Sequence, residues 1–87
     1  MIEAILKSRK WLSPNVQAVT LQPKAEFSFR PGQYIGIQTQ GGVTRCYSIA
    51  NSPAADNHIE LHIRRWPGGA FSDFPLRKIS VGDKLHI

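Results

Sequence analysis

The chain is short of most residues that build a common catalytic or metal site. It holds a single cysteine, Cys46, which excludes an internal disulfide and a multi-cysteine zinc or iron–sulfur centre. A reducing compartment suits such a chain, and a cytoplasmic location is expected. The longest apolar run is a handful of residues, too short to span a bilayer as a helix, so no membrane partner is expected. The opening residues carry Lys7 but no sustained apolar stretch, so they do not read as a secretory signal. There is no internal repeat, no low-complexity linker and no block of like charge. No Gly-x-Gly-x-x-Gly fingerprint of a dinucleotide fold occurs. The acids Glu3, Glu26, Asp56, Glu60, Asp73 and Asp83 are scattered, so neither a paired-carboxylate site nor a Ser–His–Asp set has support.

What remains is one small basic domain. The 87 residues bury roughly 60% of the surface that the unfolded chain exposes, which leaves a thin stability margin. Eleven Lys and Arg against six Asp and Glu give a net charge of +5. That balance favours an anionic partner: nucleic acid, an acidic protein or a phosphate-bearing cofactor.

Seven glycines and six prolines punctuate the chain at the spacing of an all-β barrel or sandwich. Strands are predicted over Ile2–Leu12, Val16–Leu21, Tyr34–Thr39, Val43–Ala50 and His58–Arg65, with a last one starting at Lys84. Phe27-Ser28-Phe29 alternates as well. Arg30-Pro31-Gly32-Gln33 carries the type II turn signature, with Pro first and Gly second among its central residues. Gln40-Gly41-Gly42 reads as a hairpin loop. Gly36 within a strand suggests a close approach by backbone or ligand. His58–Arg65 alternates most clearly, with Ile59, Leu61 and Ile63 on one face and His58, Glu60, His62 and Arg64 on the other. On a strand His58 and His62 stand about 13 Å apart, which is too far for shared metal ligation. Ala70–Leu76 suits two helical turns. The sequence stops inside the last strand, as expected of a piece of a longer protein.

Two constellations carry chemistry. In Arg45-Cys46-Tyr47-Ser48 a strand sends Arg45 and Tyr47 to one face, and Cys46 and Ser48 to the other. A ligand along this strand meets a phosphate-binding guanidinium, an aromatic ring and a hydroxyl. Taken alone, these residues read more simply as a strand with one surface arginine and one half-buried tyrosine. In Arg64-Arg65-Trp66-Pro67-Gly68-Gly69-Ala70-Phe71-Ser72, paired glycines before a helical segment leave backbone N–H groups for phosphate. A bare Gly-Gly pair is weak, and the two elements together are stronger than either. Cys46 reads as a small packed residue.

The segments occur in a characteristic order. Phe29-x-Pro31-Gly32-Gln33-Tyr34 comes first, then Arg45-x-Tyr47-Ser48-Ile49-Ala50-Asn51-x-Pro53, then Leu61-x-Ile63-Arg64-Arg65. Gly68-Gly69-x-x-Ser72 and Gly82-Asp83-x-Leu85 follow. Together they resemble the flavin-binding domain of the ferredoxin–NAD(P)H reductase superfamily, of the oxygenase-reductase and flavin-reductase type, over nearly the whole chain. The resemblance implies an all-β fold: a six-stranded antiparallel Greek-key barrel with one short helix before the last strand. It implies FAD as cofactor across residues 1–87, and an NAD(P)-binding domain in a full-length protein after them. Arg45 is implied to pair with the flavin phosphate, and Tyr47 to pack on the isoalloxazine or ribityl part. Ser48 is implied as the catalytic residue, hydrogen-bonding near the hydride-accepting nitrogen. Ile63 and Arg64 would lie along the cofactor, and Gly68, Gly69, Ala70, Phe71 and Ser72 would hold the pyrophosphate.

The implied function is an NAD(P)H-dependent flavoprotein reductase passing electrons to a ferredoxin, iron–sulfur or oxygenase partner. Without the nicotinamide domain, these residues are not expected to turn over alone. Phe74 departs from the smaller aliphatic residue common in the family's short helix. Two other readings compete. One is a basic barrel that binds single-stranded nucleic acid, with Trp11, Tyr34, Tyr47 and Trp66 as stacking platforms. The other is a flavin barrel that has become a non-catalytic interaction module.

Overall fold

Strict alternation on one strand and turn chemistry at fixed intervals build a single curled sheet. The computed structural model describes residues 2–38, 44–53, 57–68 and 78–87. Six strands form: β1 (Glu3–Ser13), β2 (Val16–Pro23), β3 (Tyr34–Gln38), β4 (Thr44–Ser48), β5 (Ile59–Arg64) and β6 (Lys84–His86). They make one sheet in the order β4-β3-β6-β1-β2-β5, with every pairing antiparallel.

The apolar set on the inner face explains the curl. Leu6, Val19, Leu21, Ile37, Ile59, Leu61 and Ile63 are fully enclosed, and Phe29, Ile35, Ile49 and Leu85 complete the core. Residues paired across strands share a face, so Leu6 meets Leu21 and Val19 meets Leu61 on the inside. Arg9 shares that face with Val19, and its guanidinium donates to the Ile79 carbonyl.

Turn residues adopt the backbone that their chemistry requires. Gly32 has φ +79°, and the Gln33 N–H donates to the Arg30 carbonyl at 3.0 Å, as a type II turn demands. Gly82 has φ +98° in the turn closed by the Asp83 N–H to the Ser80 carbonyl. Gly36 has a packing reason instead. A Cβ there would stand 2.7 Å from the Thr44 methyl on the neighbouring strand. The close approach predicted at Gly36 is therefore a side chain of β4. Phe27–Phe29 forms no strand, and its two rings pack 6.3 Å apart against the core.

The expected closed Greek-key barrel with a short helix is corrected. The sheet is an open half-barrel whose free edges are β4 and β5. The edges touch through one bridge, Ile49 to Leu61, and no ladder continues from it. Carrying that register onward would set Tyr47 against Ile63 and Arg45 against Arg65. Two like charges directly opposite oppose such a closure. No helical element forms among the described residues, a single helical residue at Lys78 aside. The helix expected over Ala70–Leu76 and the hairpin loop at Gln40-Gly41-Gly42 lie outside the described residues.

Candidate functional site: an open seam between two edge strands

The site is built where β4 and β5 part. Ile49 fixes the apex. Its N–H donates to the Gln33 carbonyl at 2.8 Å, and the Ala50 N–H donates to the Glu60 carbonyl at 2.7 Å. Main-chain direction alternates along a strand, so the N–H groups of Ser48 and Cys46 point away from β3 and into the seam. Asn51 locks this junction. Its carboxamide donates to the His58 carbonyl at 3.1 Å and accepts from the Glu60 N–H at 2.8 Å.

The β4 side carries the residues expected of it. Tyr47 pairs with Ile35 and Arg45 with Ile37, so both side chains stand on the inner face. Ser48 and Cys46 occupy the outer face opposite Tyr34 and Gly36, and Cys46 is exposed there, which corrects its reading as a packed residue. Arg45 is exposed, although its partner Ile37 is fully buried. Tyr47 is half-buried against that core. Burial pushes its phenol above the ordinary range, and the Arg45 charge pulls partly back. The ring is thus held as a neutral, flat surface beside a fixed cation. The Arg45 guanidinium donates to the adjacent Thr44 carbonyl at 3.4 Å.

The β5 side is more mixed. Arg64 is exposed on the outer face, with its guanidinium carbon 5.0 Å from the centre of the Trp66 ring. Gly68 follows in a left-handed conformation with φ +78°. Ile63 is enclosed in the core and pairs with Gln17 of β2, so it braces the edge from behind. The structure therefore brings Arg45, Tyr47, Ser48 and Arg64 to the seam region and places the Ile63 side chain behind it. Gly69, Ala70, Phe71 and Ser72 lie outside the described residues.

Three residues escaped the sequence reading. Tyr34, read as a strand start and as a stacking platform for nucleic acid but given no part in the flavin site, is exposed directly opposite Ser48. Its signal was an aromatic at a strand start with no core position to fill. Asn51 was part of a quoted motif without a role, and an Asn directly after a strand was its signal. Gln17 is a polar residue within the predicted strand Val16–Leu21, yet it is buried beside Ile63, and its Oε1 meets no donor among the described residues. No spacing rule would have found it. Tyr34 and Tyr47 point to opposite faces, so they do not form one stacking platform for nucleic acid.

The site has the chemistry of a long, anionic, partly aromatic ligand. Main-chain donors point into it, a half-buried ring lines one side, and guanidinium groups flank it. No group of three metal-binding side chains occurs among the described residues. No helix among them is long and apolar enough to cross a membrane.

Comparison with known proteins identifies the family. The family described as "Oxidoreductase FAD-binding domain" matches residues 3–87. The chain belongs to that family, the FAD-binding domain of flavoprotein reductases. The phenol hydroxylase P5 protein of Acinetobacter pittii is 41% identical over 81 residues, which is 90% of this chain and 22% of that protein. Protein RfbI of Salmonella typhimurium is 54% identical over 65 residues, covering 75% of this chain and 19% of its own length. Among solved structures, the ferredoxin reductase in carbazole 1,9a-dioxygenase superposes with a TM-score of 0.87 at 34% identity. That match covers 97% of this chain and 26% of the other. The chain thus spans 22% and 19% of these two relatives' own length and 26% of that structure.

Proposed function

We propose that residues 1–87 hold FAD along the β4–β5 seam, as the flavin domain of an NAD(P)H-dependent reductase. Electrons would pass to a ferredoxin, iron–sulfur or oxygenase-type acceptor. One observation carries this reading: the Arg-x-Tyr-Ser strand is an unpaired sheet edge that presents a cation, a ring and main-chain donors together. The nicotinamide site would lie in a further domain of the full-length protein, in keeping with the share of the relatives' length that this chain spans. A cytoplasmic location goes with this reading, supported by the single cysteine.

Each residue then has a task. Arg45 supplies a fixed charge for a flavin phosphate. Tyr47 offers a flat apolar wall and keeps its proton at neutral pH. The Ser48 hydroxyl and main-chain N–H would donate to the hydride-accepting ring nitrogen. Ile63 stiffens the opposite edge, and Arg64 adds a second cation. Gly68 to Ser72 would supply main-chain donors to the pyrophosphate. Bound FAD supplies acceptance of a hydride and release of electrons singly or in pairs. The protein binds, orients and tunes it. The positive balance of the chain favours an acidic acceptor protein by electrostatic steering.

The test is a visible absorption spectrum of the chain after incubation with FAD or FMN and desalting. The expected result is a retained flavin band with FAD. Arg45→Ala should weaken binding by about 1.5–3 kcal/mol, roughly ten- to a hundredfold in Kd. A folded chain that keeps neither flavin, or an Arg45→Ala variant with unchanged affinity, would overturn the assignment.

A further inference from the structure

We propose that Trp66 is a positioning residue for Arg64, and that its indole face holds the guanidinium where a cofactor phosphate meets it. This rests on the FAD reading above and extends it to a residue that reading leaves without a role.

Packing does not account for Trp66. It is 60% exposed, so most of its surface stays out of the core. The Arg64 guanidinium carbon stands 5.0 Å from its ring centre. That distance is within the range of a cation–π interaction. Arg64 has no carboxylate partner among the described residues, so its charge is left for an outside anion.

The stacking geometry matters for what the charge can do. An exposed arginine samples many rotamers, and ordering it on arrival of a ligand opposes binding. A guanidinium laid on an aromatic face is ordered beforehand. Its N–H donors lie in the plane of the group, so a guanidinium held flat on the ring would keep them directed outward to a phosphate. A lysine on the same ring would gain no such fixed fork.

The location fits a phosphate. Arg64 closes β5, and Gly68 follows within the same connection in a left-handed conformation. Extending the register from Ile49 and Leu61 sets Arg64 across the seam from Cys46, next to Arg45. The neighbouring Arg65 has its main-chain N–H committed to the Asn15 carbonyl at 2.7 Å, which ties the chain here to the β1–β2 turn. The pair Arg64–Trp66 is therefore anchored on a fixed strand end.

A double-mutant cycle on FAD affinity tests the proposal, with Arg64→Ala, Trp66→Leu and the combined variant. Trp66→Leu should weaken FAD binding about three- to tenfold and make it less sensitive to ionic strength. Trp66→Phe should restore most of the loss, because a smaller ring still supports the stack. In the Arg64→Ala background, Trp66→Leu should change nothing further. Unfolding midpoints of all variants separate folding from binding. Equal losses from Trp66→Leu in both backgrounds would show the indole touching the cofactor itself and would overturn the positioning role. An unchanged affinity in Trp66→Leu would overturn it too. If the unsubstituted chain binds no FAD, the flavin reading fails first and this proposal falls with it. Binding with an additive cycle sinks the proposal alone.

Discussion

The two edge strands face the same seam but are built differently. In β5 every second side chain, Ile59, Leu61 and Ile63, is enclosed in the core. In β4 no side chain is fully buried, and Tyr47 alone is half-covered. One edge is therefore a wall of the core, and the other is a strand displayed beyond it. A single sheet in this way divides its edges: β5 holds the fold, and β4 leaves its side chains open to solvent.

The largest test of that division is a pair of truncations. Leu61→Ala should lower stability by about 2–5 kcal/mol, because it opens a cavity in a site with no exposure. Cys46→Ala on β4 should stay within about 0.5 kcal/mol, as expected of an exposed position. Denaturant midpoints of the two variants decide the matter, and equal losses would break the comparison.

A smaller effect probes the junction of the two edges. Asn51→Ala leaves the Glu60 N–H without its acceptor and the His58 carbonyl without its donor. A loss of about 1–3 kcal/mol is expected. Hydrogen exchange at the Glu60 amide should quicken more than at Leu6 on β1, which β2 separates from β5. Uniform quickening would mean that Asn51 supports the whole sheet.

The smallest effect is a pH dependence seated on β4. Burial raises the Tyr47 phenol, so the folded chain holds this proton more tightly than the unfolded chain. The stability it contributes is complete below the ordinary tyrosine range near 10, and is lost as pH rises through the higher folded value. Tyr47→Phe should flatten that alkaline decline in unfolding midpoints between about pH 9 and about pH 11. An identical decline in the variant would place the titration elsewhere.

Much of the fold was legible because burial imposes a period. Ile59, Leu61 and Ile63 alternate strictly, and the strand they predict forms with that face inward. Arg30-Pro31-Gly32-Gln33 announced its turn because only glycine adopts the required φ without strain. The division of Arg45 and Tyr47 from Cys46 and Ser48 followed from the pleat alone. Closure was not legible. Whether β4 and β5 pair depends on what stands across the seam, and a local pattern carries no record of that. Gln17 shows the same limit. Its side chain is polar, but the pairing with Ile63 turns it inward.

The bridge at Ile49 also sets how the seam can deform. Arg45 lies about 13 Å along β4 from Ile49, and Ser48 only about 3.3 Å. A splay of about 10° about that tie shifts the Arg45 end by about 2 Å and the Ser48 end by about 0.6 Å. The cleft behaves as a pair of tongs pinned at one end. Under the function proposed above, precision would be greatest beside the pivot, where Ser48 would meet one atom, and accommodation greatest at the tip, where Arg45 would need only to follow a phosphate.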